Sequence, residues 1–171
     1  MLGAGDKVFH PRHGFGAISG LSRHDPRHPV QDAASVDISS EEDYYDIQLL
    51  EGGTLLVPVS RADQVGLRPL TNGVETVMKR LHSPAQTLPQ DARKRAAELQ
   101  ARGQNGEPTA LADAVRDMVT HTRGRTLRDS EKLWLEKACA CLVTEAALVD
   151  RIPKSEARAS ILAFVAQLSA K

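Results

Sequence analysis

Gly5-Asp6-Lys7-Val8-Phe9-His10-Pro11-Arg12-His13-Gly14-Phe15-Gly16-Ala17-Ile18 is the stretch from which the first half of the chain is read. Lys7-Val8-Phe9 alternates as a short strand. Pro11 fixes φ and has no N–H to give to a ladder, so the strand ends there. Gly14 and Gly16 allow a tight turn, with positive φ if the turn requires it, before Ala17-Ile18 resumes extended structure.

The segment from Ser22 to Asp43 is polar, with Asp25-Pro26, His28-Pro29 and the acidic run 39–43. Its low apolar content predicts a long mobile loop, dispensable for folding. His10, His13, His24 and His28 are near one another in sequence, but no Cys or tightly spaced ligand pair accompanies them, so loop histidines are preferred to a metal site. Tyr44 to Leu50 reads as a strand with Tyr45, Ile47 and Leu49 on one face. Glu51-Gly52-Gly53 is a hairpin turn, and Thr54 to Val59 is the returning strand. Pro58 cannot donate to a ladder, which places the end of that strand at a sheet edge. Val65-Gly66-Leu67-Arg68 closes the unit.

Taken together, these blocks resemble the RNA-polymerase-interacting domain of the CarD/CdnL family, which is shared with transcription-repair coupling factor. That domain begins Gly-Asp-x-Val-x-x-Pro-x-x-Gly-x-Gly. It continues with a Tyr-rich strand, a Gly turn, a strand ending Val-Pro-Val or Val-Pro-x, and Val-Gly-Leu-Arg. The resemblance implies a small five-stranded Tudor/SH3-like β-barrel over residues 1–70. It also implies binding to a lobe of the RNA polymerase β subunit by strand addition, for which the candidates are His24, Thr54, Leu55, Leu56 and Val57. Replacing Leu55 or Val57 by Pro is expected to remove an edge N–H. Several family members carry arginines where His24 and Leu56 align, and the loop 22–43 is longer than the family usually carries.

Residues 71–171 read as all-helical, with about five amphipathic helices. Asn72-x-x-Glu75, Thr87-x-x-Gln90 and Thr126-x-x-Asp129 have capping-box spacing. Thr109 starts the third helix and Pro153 opens the last. Leu111-Ala112-Asp113-Ala114-Val115-Arg116-Asp117-Met118 resembles the CarD Val-Ala-Glu-Val-Val-Arg-Asp-Leu helix. Ser130-Glu131-Lys132-x-x-Leu135-x-Lys137-Ala138 resembles its Ser-x-x-Glu-Lys-x-x-Leu-x-x-Ala segment. The expected class is therefore α+β, a β-barrel followed by a helical domain, with the resemblance running through nearly the whole chain.

The formal net charge of zero conceals an asymmetry. Residues 1–70 carry six Lys+Arg and ten Asp+Glu, a net of −4, whereas 71–171 carry sixteen and twelve, a net of +4. A basic second half is mild support for a nucleic-acid surface. The densest basic cluster is Arg93-Lys94-Arg95, with Arg102 two turns on, and such cations neutralise phosphates. The resemblance implies a basic helix that contacts DNA at the upstream edge of the transcription bubble, preceded by a Trp that wedges into the minor groove. The only Trp here is Trp134, in the fourth helix and read as a partly buried core residue. Leu88 and Pro89 stand where the wedge is sought, and an ordinary apolar first turn is the preferred alternative.

Cys139 and Cys141, the only cysteines, diverge on a helix and form neither a disulfide nor a metal pair. No apolar run approaches a membrane span and no secretory pattern opens the chain, so a cytoplasmic protein, expected to be monomeric, is predicted. No Gly-x-x-x-x-Gly-Lys, His-Glu-x-x-His, Cys-x-x-Cys or Gly-x-Ser-x-Gly is present, which predicts no enzymatic activity, no cofactor and no metal. The expected function is regulation of transcription through RNA polymerase β and promoter DNA, by modulation of open-complex stability. The alternative is an adaptor that binds the polymerase without wedge activity.

Overall fold

Val8, Ile18, Tyr45, Ile47, Leu55 and Val57 are apolar residues at alternating positions, and all are buried in one cluster. Burying that face is what makes these segments strands, since period-two alternation turns one set of side chains inward. The computed structural model describes residues 2–24, 42–104, 107–123 and 126–170. Two compact units are present, Met1–Leu70 and Thr71–Lys171.

The first unit is an antiparallel sheet of β1 (Lys7–His10), β2 (Gly14–His24), β3 (Glu42–Leu49), β4 (Thr54–Pro58) and β5 (Arg68–Pro69), in the order β4-β3-β2-β1-β5. The β1–β2 hairpin pairs Lys7 with Ala17 and His10 with Gly14, as Pro11 and the glycines predict. Gly16 is required by proximity: a Cβ there would stand 2.6 Å from Ile47 Cγ2 and 2.7 Å from the Gln48 carbonyl oxygen. The register of β2 on β3 shifts between Ile18 and Gly20, a bulge of the kind that bends a strand into a barrel. Both strands run further than their polar ends suggest, to His24 and from Glu42, because cross-strand pairs such as Arg23–Asp43 continue the ladder. The interior of the loop, 25–41, and with it the expectation of mobility, lies outside the described residues.

The second unit contains α1 (Val74–Leu81), α2 (Ala92–Gln104), α3 (Pro108–His121), α4 (Asp129–Asp150) and α5 (Lys154–Ala170). Their apolar stripes meet in one core that includes Val77, Leu81, Val115, Leu142, Ala146 and Ile161. A smaller cluster of Leu88, Leu99, Ala114 and Met118 fastens α2 to α3.

Three helix starts differ from the sequence expectation. The Asn72 box is not used: Gly73 is the N-cap of α1 without a side-chain bond, and Val74 N–H donates to Asp150 Oδ2 at 2.7 Å. Helix α2 begins at Ala92, not near Thr87, with Asp91 Oδ1 accepting from Lys94 N–H at 2.9 Å. Backbone groups in 86–90 are instead bound by buried charged side chains, described below. Helix α4 begins at Asp129, and Glu131 Oε2 accepts the Arg128 N–H at 3.0 Å. Among the described residues no helix is long and apolar enough to cross a membrane.

Candidate interaction surfaces

Strand β4 ends the sheet, so one of its sides carries no strand among the described residues. The phase of the ladder decides which backbone groups that side presents. Leu49 N–H donates to the Gly53 oxygen at 3.0 Å, which makes 49/53 a hydrogen-bonded pair. Hydrogen-bonded and non-bonded pairs alternate in an antiparallel ladder. From the register, Ile47–Leu55 and Tyr45–Val57 are then bonded pairs, whereas Gln48–Thr54, Asp46–Leu56 and Tyr44–Pro58 are not. Pro58, which has no N–H, falls at a position where none is needed. The N–H and C=O groups of Thr54 and Leu56 therefore point outward.

This corrects the expectation for Leu55 and Val57. Their N–H groups serve β3, and their side chains are buried in the barrel core. A Pro at either position breaks the ladder, not the edge. His24 is the last residue of β2 and pairs with Glu42. It lies two strands from β4, about 10 Å away at strand spacing, and four residues further along than Leu56. The sheet does not bring His24 beside the β4 edge. His10 Nδ1 accepts the Arg12 N–H at 3.1 Å, and its ring lies 4.8 Å from that of His13. Burial, then the neighbouring His13 and Arg12, lower the His10 pKa. Among the described residues no three His, Cys, Asp or Glu side chains converge on a metal position.

On α2 the four predicted phosphate contacts separate into two kinds. Arg93 and Lys94 are exposed in the first turn. Arg95 is 4% exposed. Its Nη2 donates to Glu131 Oε1 at 2.8 Å, and its Nη1 donates to the carbonyls of Pro89 at 2.7 Å and Gln90 at 3.0 Å. Arg102 Nη1 donates to Asp117 Oδ2 at 2.8 Å, and its Nη2 pairs with Glu98. These two guanidinium groups hold the helix in place and are not available to phosphates in this conformation. Leu88 is 1% exposed within the α2–α3 cluster. The apolar residue put forward as a wedge is thus a core residue, and Pro89 beside it is half-buried. Trp134 is also half-buried, packed against both clusters of the helical unit.

A scan against family models matches residues 2–71 to the CarD-like/TRCF RID domain and residues 76–162 to the CarD C-terminal domain. The chain belongs to the CarD family. That makes it an RNA-polymerase-interacting transcription factor, from a family of non-enzymatic regulators.

Within this CarD chain, two further buried charged residues, Arg116 and Asp117, are ones to which the sequence assigned no role. Asp117 is fully buried. Its Oδ1 accepts from Gln86 N–H at 2.8 Å and from Arg116 Nε at 2.9 Å and Nη2 at 2.7 Å. With the Arg102 bond on Oδ2, one carboxylate joins the 82–91 segment, α2 and α3. Arg116, 4% exposed, also donates from Nη1 to Asp113 Oδ1 at 2.7 Å and to the Arg80 carbonyl at 3.2 Å. Arg80 in turn pairs with Asp113. The Arg-Asp of the family-like α3 segment and the Glu of its α4 segment are therefore anchors for α2. One signal was available: Arg95, Leu99 and Arg102 are spaced i, i+4, i+7 and share a helix face with an apolar residue on it. That face was the one to expect inward.

Proposed function

We propose that this CarD-family protein binds the β subunit of RNA polymerase by accepting a strand on the edge of β4, and contacts promoter DNA through the head of α2. The combined effect is modulation of open-complex stability. The observation that carries this reading is the β4 edge, with the backbone groups of Thr54 and Leu56 directed away from β3. Four backbone hydrogen bonds to an added strand contribute about 2–6 kcal/mol net. Arg93 and Lys94 form no ion pair among the described residues, and they stand in the first turn of α2, where the helix dipole disfavours cations. That placement costs helix stability and suits a phosphate partner. The same dipole, together with two phosphate contacts, gives affinity that is largely independent of sequence and falls with salt.

The test is the open-complex lifetime on a linear promoter fragment, with and without the protein, and with Arg93→Ala/Lys94→Ala. The double variant is expected to keep polymerase binding, lose the change in lifetime, and flatten the log–log salt dependence of DNA binding by about two. An unchanged lifetime effect would refute the DNA role of α2. The second reading, an adaptor that binds polymerase without opening DNA, is favoured by the burial of Leu88 and by the lack of an aromatic residue before the α2 cations. Under it, the double variant and the parent behave alike.

A further inference from the structure

Helices α4 and α5 are joined by three residues and pack against one another, which makes them antiparallel neighbours. Between them runs a cavity of about 720 Å³ with a floor of Cys139, Val143 and Val165. One rim is formed by Glu136, Ala140 and Thr144 of α4, and the other by Lys154 and Arg158 of α5. Each rim follows an i, i+4 row, and the α4 row spans two turns, about 12 Å. A trough of that form matches the ridge of another helix better than the compact outline of a small molecule. Ala140 and Thr144 are small, so a backbone can come close on that side.

The charges are segregated along the trough. Because the helices are antiparallel, Lys154 and Arg158 stand at the Thr144 end, and Glu136 stands at the other. Lys154 and Arg158 are exposed and make no ion pair among the described residues. Burial pushes the Cys139 thiol up to about 11, against the opposing pull of the Arg158 guanidinium.

We propose that the α4–α5 trough is a docking site for an amphipathic helix of a partner protein, with acidic residues at the end that lies against Lys154 and Arg158. The apolar ridge of that helix covers Cys139, Val143 and Val165, and a basic residue at its far end meets Glu136. The trough is lined by other residues than those of the β4 edge and the head of α2, and the proposal does not depend on the polymerase or DNA reading.

The experiment uses the full chain and a fluorescein-labelled helical peptide of about four turns, with leucines at i, i+4 and i+7, glutamates at one end and lysines at the other. Its counterpart has the charges exchanged around a symmetric apolar ridge. The first peptide is expected to bind. Lys154→Glu/Arg158→Glu, checked for unchanged circular dichroism, is expected to weaken that binding about tenfold or more and to gain affinity for the exchanged peptide. Ala140→Arg, an exposed rim change, is expected to block both. Failure of the parent protein to bind, or equal binding of both peptides by parent and variant, overturns the proposal. Saturable binding of dodecanoate in the trough with no peptide binding also overturns it, and assigns the site to a small amphiphile.

Discussion

Asp117→Ala tests whether buried charges, and not only apolar packing, hold α2 in place. The carboxylate is fully buried and accepts four hydrogen bonds from Gln86, Arg102 and Arg116. Removing it leaves the Arg116 guanidinium, itself 4% exposed, with only Asp113 and the Arg80 carbonyl. Breaking a buried ion pair by deleting one partner costs about 3–5 kcal/mol, because the remaining charge is uncompensated. For a unit of about one hundred residues, each kcal/mol lowers the thermal midpoint by roughly 4–8 °C. The helical signal at 222 nm should therefore melt about 12–40 °C lower in the variant. Adding Arg116→Met removes the orphaned charge, so the double variant should be less destabilised than the sum of the singles by about 1–3 kcal/mol. A fall of less than about 4 °C for Asp117→Ala, equivalent to roughly 1 kcal/mol, or strict additivity in the double variant, would refute the argument. The carboxylate would then be replaceable by water.

The other expectations concern the sheet and the α4 thiol. Thr54→Pro removes an outward N–H at an exposed position and spares the β3 ladder, whereas Leu56, whose side chain is buried, is unsuited to this test. Thr54→Pro should lower affinity for polymerase about tenfold while the sheet unit stays folded, whereas Val57→Pro should unfold that unit. Equal thermal midpoints for the two in a melt of the full chain would show the ladder phase to be wrong. Gly16→Ala forces a methyl against Ile47 and the Gln48 carbonyl and should cost about 1–3 kcal/mol in denaturant titration; a neutral outcome would mean that β2 and β3 can separate locally. The Cys139 thiol has its pKa raised by burial from 9.0 to about 11, so the folded state retains the proton more tightly than the unfolded one. Its contribution to stability is complete below pH 9 and is lost as pH rises towards 11. Urea midpoints of the parent should fall over that range more than those of Cys139→Ala, and parallel curves would contradict it.

Much of the architecture is legible locally. Alternation at Lys7–Phe9 and Tyr45–Leu49, the glycines at 52 and 53, and Pro11 specify strands and turns because side-chain period and backbone freedom are properties of a few adjacent residues. Apolar spacing in α3, α4 and α5 likewise marks the inward faces, and Pro153 marks a helix start. The position of Pro58 gave the edge strand correctly but not the ladder phase, which depends on the Leu49–Gly53 bond across the hairpin.

The chain order of strands and helices, the change from one architecture to the other near residue 70, and the apolar faces follow from interactions within a few residues along the chain. Which cations face solvent depends on residues far away in the chain. Arg93, Lys94 and Arg95 are indistinguishable as a run of charge, yet α-helical rotation sends the third towards Glu131, thirty-six positions away. The start of α1 is likewise set by Asp150, seventy-six positions away. A buried guanidinium or a helix N-terminus needs a compensating charge or acceptor, and the fold supplies that partner from whichever distant element it brings near.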